Sequence, residues 1–181
     1  FVKKEHDVQN IQNYKFSKQA KKKIRIAYYS ADFRNHPTSY LLANLFELHD
    51  KKKFEIIGIS FGPDKDEKIR RRVSEAFDEF YDVRLKTEDE IVKFSRELKI
   101  DIAIDLMCFT KYHKFGIFVK RCAPIQVNYL GYPGTSGANY LDYIIADKII
   151  IPKESQKYYS EKIVYLPNTY QANDSTKKIS D

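Results

Sequence analysis

The chain has only two cysteines, Cys108 and Cys122, among 181 residues. They form no CxxC pair and no second pair completes a zinc site, so neither a zinc module nor a disulfide framework is expected. Two buried, reduced thiols in a cytoplasmic protein are the expected state. No run of about 18 apolar residues occurs, because charged residues interrupt every apolar stretch, and no helix is expected to span a membrane. Nothing at the start reads as a signal peptide. The first residue is Phe1 rather than Met, as in a piece cut from a longer chain. Walker A and GxGxxG loops are absent, and so is any recognised nucleic-acid reading motif.

What is present suffices for a core. Hydrophobic residues make up 43% and aromatic residues 14%. That excludes a disordered chain, a collagen and a mini-protein that needs staples. The length fits one large domain or two small ones. The net charge of +7 sits mostly ahead of the domain: residues 1–25 carry eight Lys or Arg against Glu5 and Asp7, leaving the rest near neutral. A basic lead-in of this kind reads as a solvated linker, so nucleic acid is not an expected partner. Arg70-Arg71-Arg72 and Lys51-Lys52-Lys53 are expected to face solvent. Most of the aromatics fall at strand or helix periods and are expected in the core.

Residues 1–22 are polar and basic and are assigned to a linker or a peripheral helix. The alternating stretch 23–30 predicts a first strand. After a loop, Thr38 or Ser39 can cap a helix that carries Tyr40, Leu41, Leu42, Leu45, Phe46 and Leu48 on a helical period. Strands are predicted over 54–61, 79–83, 100–106, 124–130 and 143–146. Helices are predicted over 67–77, over 87–98 with Thr87 and Glu90 as a capping box, and over 114–121. A short helix end and a strand follow within 158–166, and the chain turns polar over 168–181. Strands alternating with helices build parallel βαβ units with right-handed crossovers. The predicted fold is α/β, a Rossmann-like parallel sheet flanked by helices, over 23–167. Ligands in such sheets sit beyond the carboxyl ends of the strands, which singles out loops 31–37, 62–66, 107–113 and 131–137.

Three constellations fall in those loops. The first, Asp32 to Ser39, opens a helix and puts His36 at its N-terminus. The field there disfavours a cation, and a neutral imidazole beside an acceptor hydroxyl can take a proton or a hydrogen bond. The alternative is a histidine that bonds loop backbone. The second is Gly131-Tyr132-Pro133-Gly134-Thr135-Ser136-Gly137. Its glycines allow close approach, and free N–H groups in such a turn form an anion-binding nest. The alternative is a tight strand exit. The third runs from Asp105 to His113, where Thr110, Lys111 and His113 either reach ligand or simply face water. Asp32 and Asp105 lack a third ligand, so no metal is expected.

These residues together resemble the O-linked N-acetylglucosamine transferases and their SPINDLY-type relatives. The resemblance lies in YYSADFRNHPTS at 28–39, APIQ at 123–126, LGYPGTSG at 130–137, LDYIIAD at 141–147 and YSEK at 159–162, in that order. It covers about residues 23–175. It implies the N-terminal lobe of a two-lobed GT-B glycosyltransferase that moves a sugar, with inversion and without a metal or other cofactor, from a nucleotide-sugar such as UDP-N-acetylglucosamine to Ser or Thr hydroxyls of proteins. It further implies a second lobe after residue 181, holding most nucleotide contacts and an active-site lysine, and tetratricopeptide repeats in the same parent chain. This lobe alone would be inactive. His36 matches the histidine of the family's HPTS motif, lining the cleft near the acceptor hydroxyl. Asn35, Pro37, Thr38, Thr110, Lys111 and the whole turn from Gly131 to Gly137 are the candidate substrate contacts. The family tends to read glycine, then tyrosine or histidine, before the loop threonine and another glycine soon after it, where this chain has Cys108, Phe109 and Tyr112, and the loop's shape is the feature the resemblance leaves open. The rival reading is a non-catalytic Rossmann-like module that binds protein or nucleotide.

Overall fold

The structure is a computed structural model that describes residue 16, residues 22–63 and residues 67–177. The linker or helix expected over 1–22 lies outside the described residues but for Phe16 and Lys22, as does the part of the second candidate loop from 64 to 66.

Seven strands form one fully parallel sheet: β1 (Ile24–Ser30), β2 (Phe54–Ser60), β3 (Glu79–Asp82), β4 (Ile102–Asp105), β5 (Ile125–Tyr129), β6 (Tyr143–Ala146) and β7 (Lys162–Tyr165). Their spatial order is β3-β2-β1-β4-β5-β6-β7. Four helices connect them: α1 (Pro37–Glu47), α2 (Lys68–Ala76), α3 (Glu88–Glu97) and α4 (Gly116–Val119). A 3-10 segment, Lys153–Tyr158, precedes β7. From β1 the chain steps outward to β2 and β3, then returns across the sheet to β4 and steps outward the other way. Right-handed crossovers therefore force α1 and α2 onto one face and α3 and α4 onto the other.

The buried residues divide the same way. Tyr28, Ile56, Leu42, Phe46, Val73 and Phe77 form one cluster. Tyr29, Ile57, Ile59, Ile91, Phe118 and both cysteines belong to the other. Alternation along β1 sends Tyr28 to one cluster and Tyr29 to the other, as the two-residue period of a strand requires. Tyr29 also donates its hydroxyl to Ser95 Oγ at 2.8 Å, and Ser95 in turn donates to the Ile91 carbonyl at 2.7 Å. Both cysteines are free and buried. Burial raises both thiols above their ordinary range, Cys122 to about 12, so neither is poised as a thiolate.

Arg70, Arg72 and Lys51 correct the sequence reading, whereas Arg71, Lys52 and Lys53 are exposed as expected. Arg70 is buried, donating from Nη1 to the Phe33 carbonyl at 2.7 Å and to Ser60 Oγ at 3.2 Å, with Asp82 at 3.4 Å. Its guanidinium lies 5.4 Å from the Phe80 ring centre. Arg72 pairs with Glu47 at 2.7 Å and with Asp174 at 2.5 Å. Lys51 donates to the Ala76 carbonyl at 2.8 Å and pairs with Asp78. The partners of Arg70 and Arg72 lie far off in sequence, so a local charge run could not show them.

The segment from 168 is not a free tail over its described part. Tyr170 and Ala172 pack on the α1–α2 cluster, and the Tyr129 hydroxyl donates to the Tyr170 carbonyl at 2.8 Å. Asp147 accepts the Tyr170 amide at 2.8 Å, and Ser175 donates to Asn44 Oδ1 at 2.7 Å.

Two local features give stability tests. Helix α3 ends in a Schellman turn, with Lys99 N–H bonded to the Arg96 carbonyl and Ile100 N–H to that of Ser95. Lys99 occupies the left-handed position there at φ 52°. Lys99→Gly is expected to relieve about 1 kcal/mol and raise the thermal midpoint by about 2–4 °C. In the opposite direction, buried Gln126 accepts the Cys122 amide at 2.9 Å and donates to the Phe118 and Tyr140 carbonyls at 2.9 and 2.6 Å. Gln126→Leu strands those groups in the core and is expected to lose at least about 2 kcal/mol in denaturant unfolding. A loss below about 0.5 kcal/mol would contradict this network.

Candidate functional site

The carboxyl ends of β1 and β4, adjacent at the point where the strand order reverses, define the crevice where open parallel sheets take ligands. Three of the four candidate loops, those following β1, β4 and β5, leave this stretch of the sheet. They approach each other at distances only glycine allows. A Cβ on Gly131 would stand 2.1 Å from the Leu106 carbonyl oxygen, and in the fourth loop, after β2, one on Gly62 would stand 1.8 Å from that of Ala31. Ser30 Oγ reaches Met107 Sδ at 3.3 Å, and the Phe109 ring meets the Tyr132 ring edge-on at 5.6 Å.

His36 is itself the cap of α1, which corrects the assignment of that role to Thr38 or Ser39. It is extended, as a residue before proline must be, and Pro37 opens the helix where its missing N–H is no loss. Its Nδ1 accepts the Thr38 amide at 3.3 Å, lies 3.2 Å from Thr38 Oγ1, and lies 3.6 Å from Asp32 Oδ2. Asp32 is fixed in turn by Arg34 at 2.8 Å. The imidazole is about one-third exposed, at 35%. Among the described residues Nε2 has no partner. Two proton arrangements follow. With Nδ1 accepting from Thr38, Nε2 carries the proton and is a donor. With Nδ1 protonated toward Thr38 Oγ1 or Asp32, Nε2 offers a lone pair. Thr38 is buried, and Asn35 is exposed, giving its N–H to Glu67.

In the loop after β4, Cys108 and Tyr112 adopt left-handed backbone at φ 48° and 70°. These are conformations glycine takes without strain. The bulky residues therefore have not abolished the left-handed turns, and each holds one at a steric cost of about 1–2 kcal/mol. Thr110 spends its hydroxyl proton on the Met107 carbonyl at 2.9 Å. Lys111 is exposed, with its ammonium 4.9 Å from the Tyr112 ring centre. Asp105 is buried at the strand end, where burial pushes its carboxyl up to about 6 against the pull of the Met107 and Cys108 amides.

The turn after β5 is gripped from two sides. Buried Asn128 donates to the Tyr132 carbonyl at 2.9 Å, and Tyr159 donates its hydroxyl to the Pro133 carbonyl at 3.1 Å. Glu161, buried just before β7, accepts the Ser136 amide at 2.7 Å, the Thr135 hydroxyl at 2.7 Å and the Ser136 hydroxyl. The amides of Gly137 and Ala138 are taken by the Thr135 and Ser136 hydroxyls at 3.1 and 3.3 Å. The nest expected here is thus filled at its 135–138 end by the protein's own carboxylate and hydroxyls. Tyr132 and Pro133, by contrast, are exposed at its other end. Glu161 escaped the sequence reading as a site residue because it lies 25 positions from Ser136, though YSEK stood among the resembling motifs. Among the described residues no group of three or more His, Cys, Asp or Glu could hold a metal ion, and no helix is long and apolar enough to cross a membrane.

The model of glycosyl transferase family 41 matches residues 3–180. The chain is 38% identical over 160 residues to the probable UDP-N-acetylglucosamine–peptide N-acetylglucosaminyltransferase SEC of Arabidopsis thaliana, covering 88% of this chain and 16% of that one. It is 34% identical over 161 residues to the UDP-N-acetylglucosamine–peptide N-acetylglucosaminyltransferase of Caenorhabditis elegans, covering 88% and 14%. A mutant O-GlcNAc transferase of Thermobaculum terrenum superposes with a TM-score of 0.79 at 32% identity, over 83% of this chain and 29% of that one. The chain therefore spans about a sixth of these curated relatives. The parallel sheet, the histidine-capped helix and the glycine turn stand on a chain that belongs to glycosyl transferase family 41.

Proposed function

We propose that this lobe is the acceptor side of an inverting glycosyltransferase that moves N-acetylglucosamine from its UDP donor to Ser or Thr hydroxyls of proteins. It acts with a second lobe in the same parent chain, which supplies most of the nucleotide contacts, and with tetratricopeptide repeats that present the acceptor. No metal or other cofactor takes part in this reading. The observation that carries it is His36 on the crevice edge, with Nδ1 committed to Thr38 and Asp32 and Nε2 without a protein partner among the described residues.

Inverting transfer needs an acceptor hydroxyl aligned behind the anomeric carbon and a stabilised leaving diphosphate. A proton shifted to Nδ1, facing the Asp32 carboxylate, leaves Nε2 free to accept the proton of the incoming hydroxyl. The bond from sugar to acceptor oxygen forms as the bond from sugar to diphosphate breaks, and the released proton rests on the imidazole. Asn35, Pro37 and Thr38 shape the rim around His36. Thr110, Lys111 and the open part of the turn from Gly131 to Gly134 face the sugar and its phosphates, while Thr135, Ser136 and Gly137 support that turn from behind.

The test separates the cap from the chemistry. In the full-length protein, His36→Ala is expected to lower transfer from UDP-N-acetylglucosamine at least about tenfold, or ~1.4 kcal/mol of barrier. Asparagine is a good cap without a titratable ring, so His36→Asn should keep the wild-type melting midpoint and still lose transfer. Transfer retained in His36→Asn would reduce His36 to a cap. A folded full-length protein that transfers from no donor would leave the binding-module reading in its place.

A further inference from the structure

The strongest unassigned feature is the carboxylate inside the glycine turn. A turn with several inward amides is an anion site, yet here its 135–138 end is closed. Glu161 is buried, with 4% of its surface exposed, and every donor around it belongs to the chain. The Ser136 amide and hydroxyl bond Oε1, and the Thr135 and Ser160 hydroxyls bond Oε2, the last at 3.2 Å. The Ser160 amide adds a bond to Thr135 Oγ1 at 3.2 Å. Removing such a carboxylate leaves buried donors unpaired, which costs far more than the loss of a surface ion pair.

We infer that Glu161 is a positioning residue, a built-in anion that fills the 135–138 end of the turn and holds its Tyr132–Gly134 end toward the sugar donor. This rests on the transferase reading and refines it: the donor's phosphates are excluded from amides 136–138, and the turn meets the donor only through its open end. The carboxylate touches no reacting atom, so its effect is on how well the donor is held.

The experiment uses the full-length protein, as wild type, Glu161→Ala and Glu161→Gln, with added formate compared against chloride at equal ionic strength. Formate is a carboxylate small enough to occupy the space left by the alanine variant. Glu161→Ala is expected to melt several degrees lower and to raise KM for UDP-N-acetylglucosamine about tenfold with kcat changed less than about threefold, the mark of lost binding common to ground and transition states. Formate, and not chloride, should recover at least half of both changes in Glu161→Ala and neither in wild type. Glu161→Gln, which keeps one acceptor oxygen, should fall between the two. An unchanged donor KM in Glu161→Ala, or recovery no better with formate than with chloride, overturns the assignment. Should the alanine variant fail to fold, refolding with formate alone upholds the assignment and failure in both salts overturns it. If wild type transfers from no donor, the functional reading fails, and formate-specific recovery of the melting midpoint decides separately whether Glu161 is the turn's internal anion.

Discussion

Handedness is the constraint from which the rest of this lobe follows. With β1 and β4 side by side and the chain leaving them in opposite directions, right-handed crossovers must place α1 and α2 on one face and α3 and α4 on the other. The two helical layers then diverge above the β1–β4 boundary, and the loops that follow β1, β4 and β5 open beside that gap. The candidate residues that follow β1, β4 and β5 lie beside that gap.

Within that gap the loops are held by close backbone approach and by side-chain contacts together. Gly62 and Gly131 sit where a methyl group would overlap a neighbouring carbonyl. Cys108 and Tyr112 hold left-handed backbone without glycine's freedom. The strain is tolerated because the loop is fastened at both ends: Asp105 accepts the Met107 amide at 2.9 Å, and Phe109 packs on Phe115 at 5.0 Å. Rigidity on this side of the crevice is therefore distributed among many short contacts.

Much of this was legible in the chain's own order of residues. Strand and helix periods located β1 to β6 to within a residue or two, placed β7 only somewhere within 158–166, and the Thr87–Glu90 capping box marked α3 correctly. The carboxyl-edge loops followed from the alternation of elements alone. What was hidden depended on partners far off in sequence. Arg70 finds the Phe33 carbonyl and Arg72 finds Asp174, so of three arginines that looked solvent-facing one goes to the core, one to a clamp, and only Arg71 is exposed. The Thr135 and Ser136 hydroxyls looked available to a ligand, and only the fold brings Glu161 to them. His36 was placed at the helix mouth, but its service as the cap depends on the extended backbone imposed by Pro37.

The strap over 168–177 has a mechanical consequence. Strand β7 lies at the margin of the sheet, and a pull applied directly to its end would peel it away one hydrogen bond at a time. The chain instead doubles back and is fastened at Tyr129, Asp147, Asn44 and Arg72 before its last described residue. Tension arriving from that direction is carried into α1, α2 and the middle of the sheet, where several bonds must yield together. The crevice loops on β1 and β5 are thereby joined to the same elements that bear the load, and β7 is shielded from it.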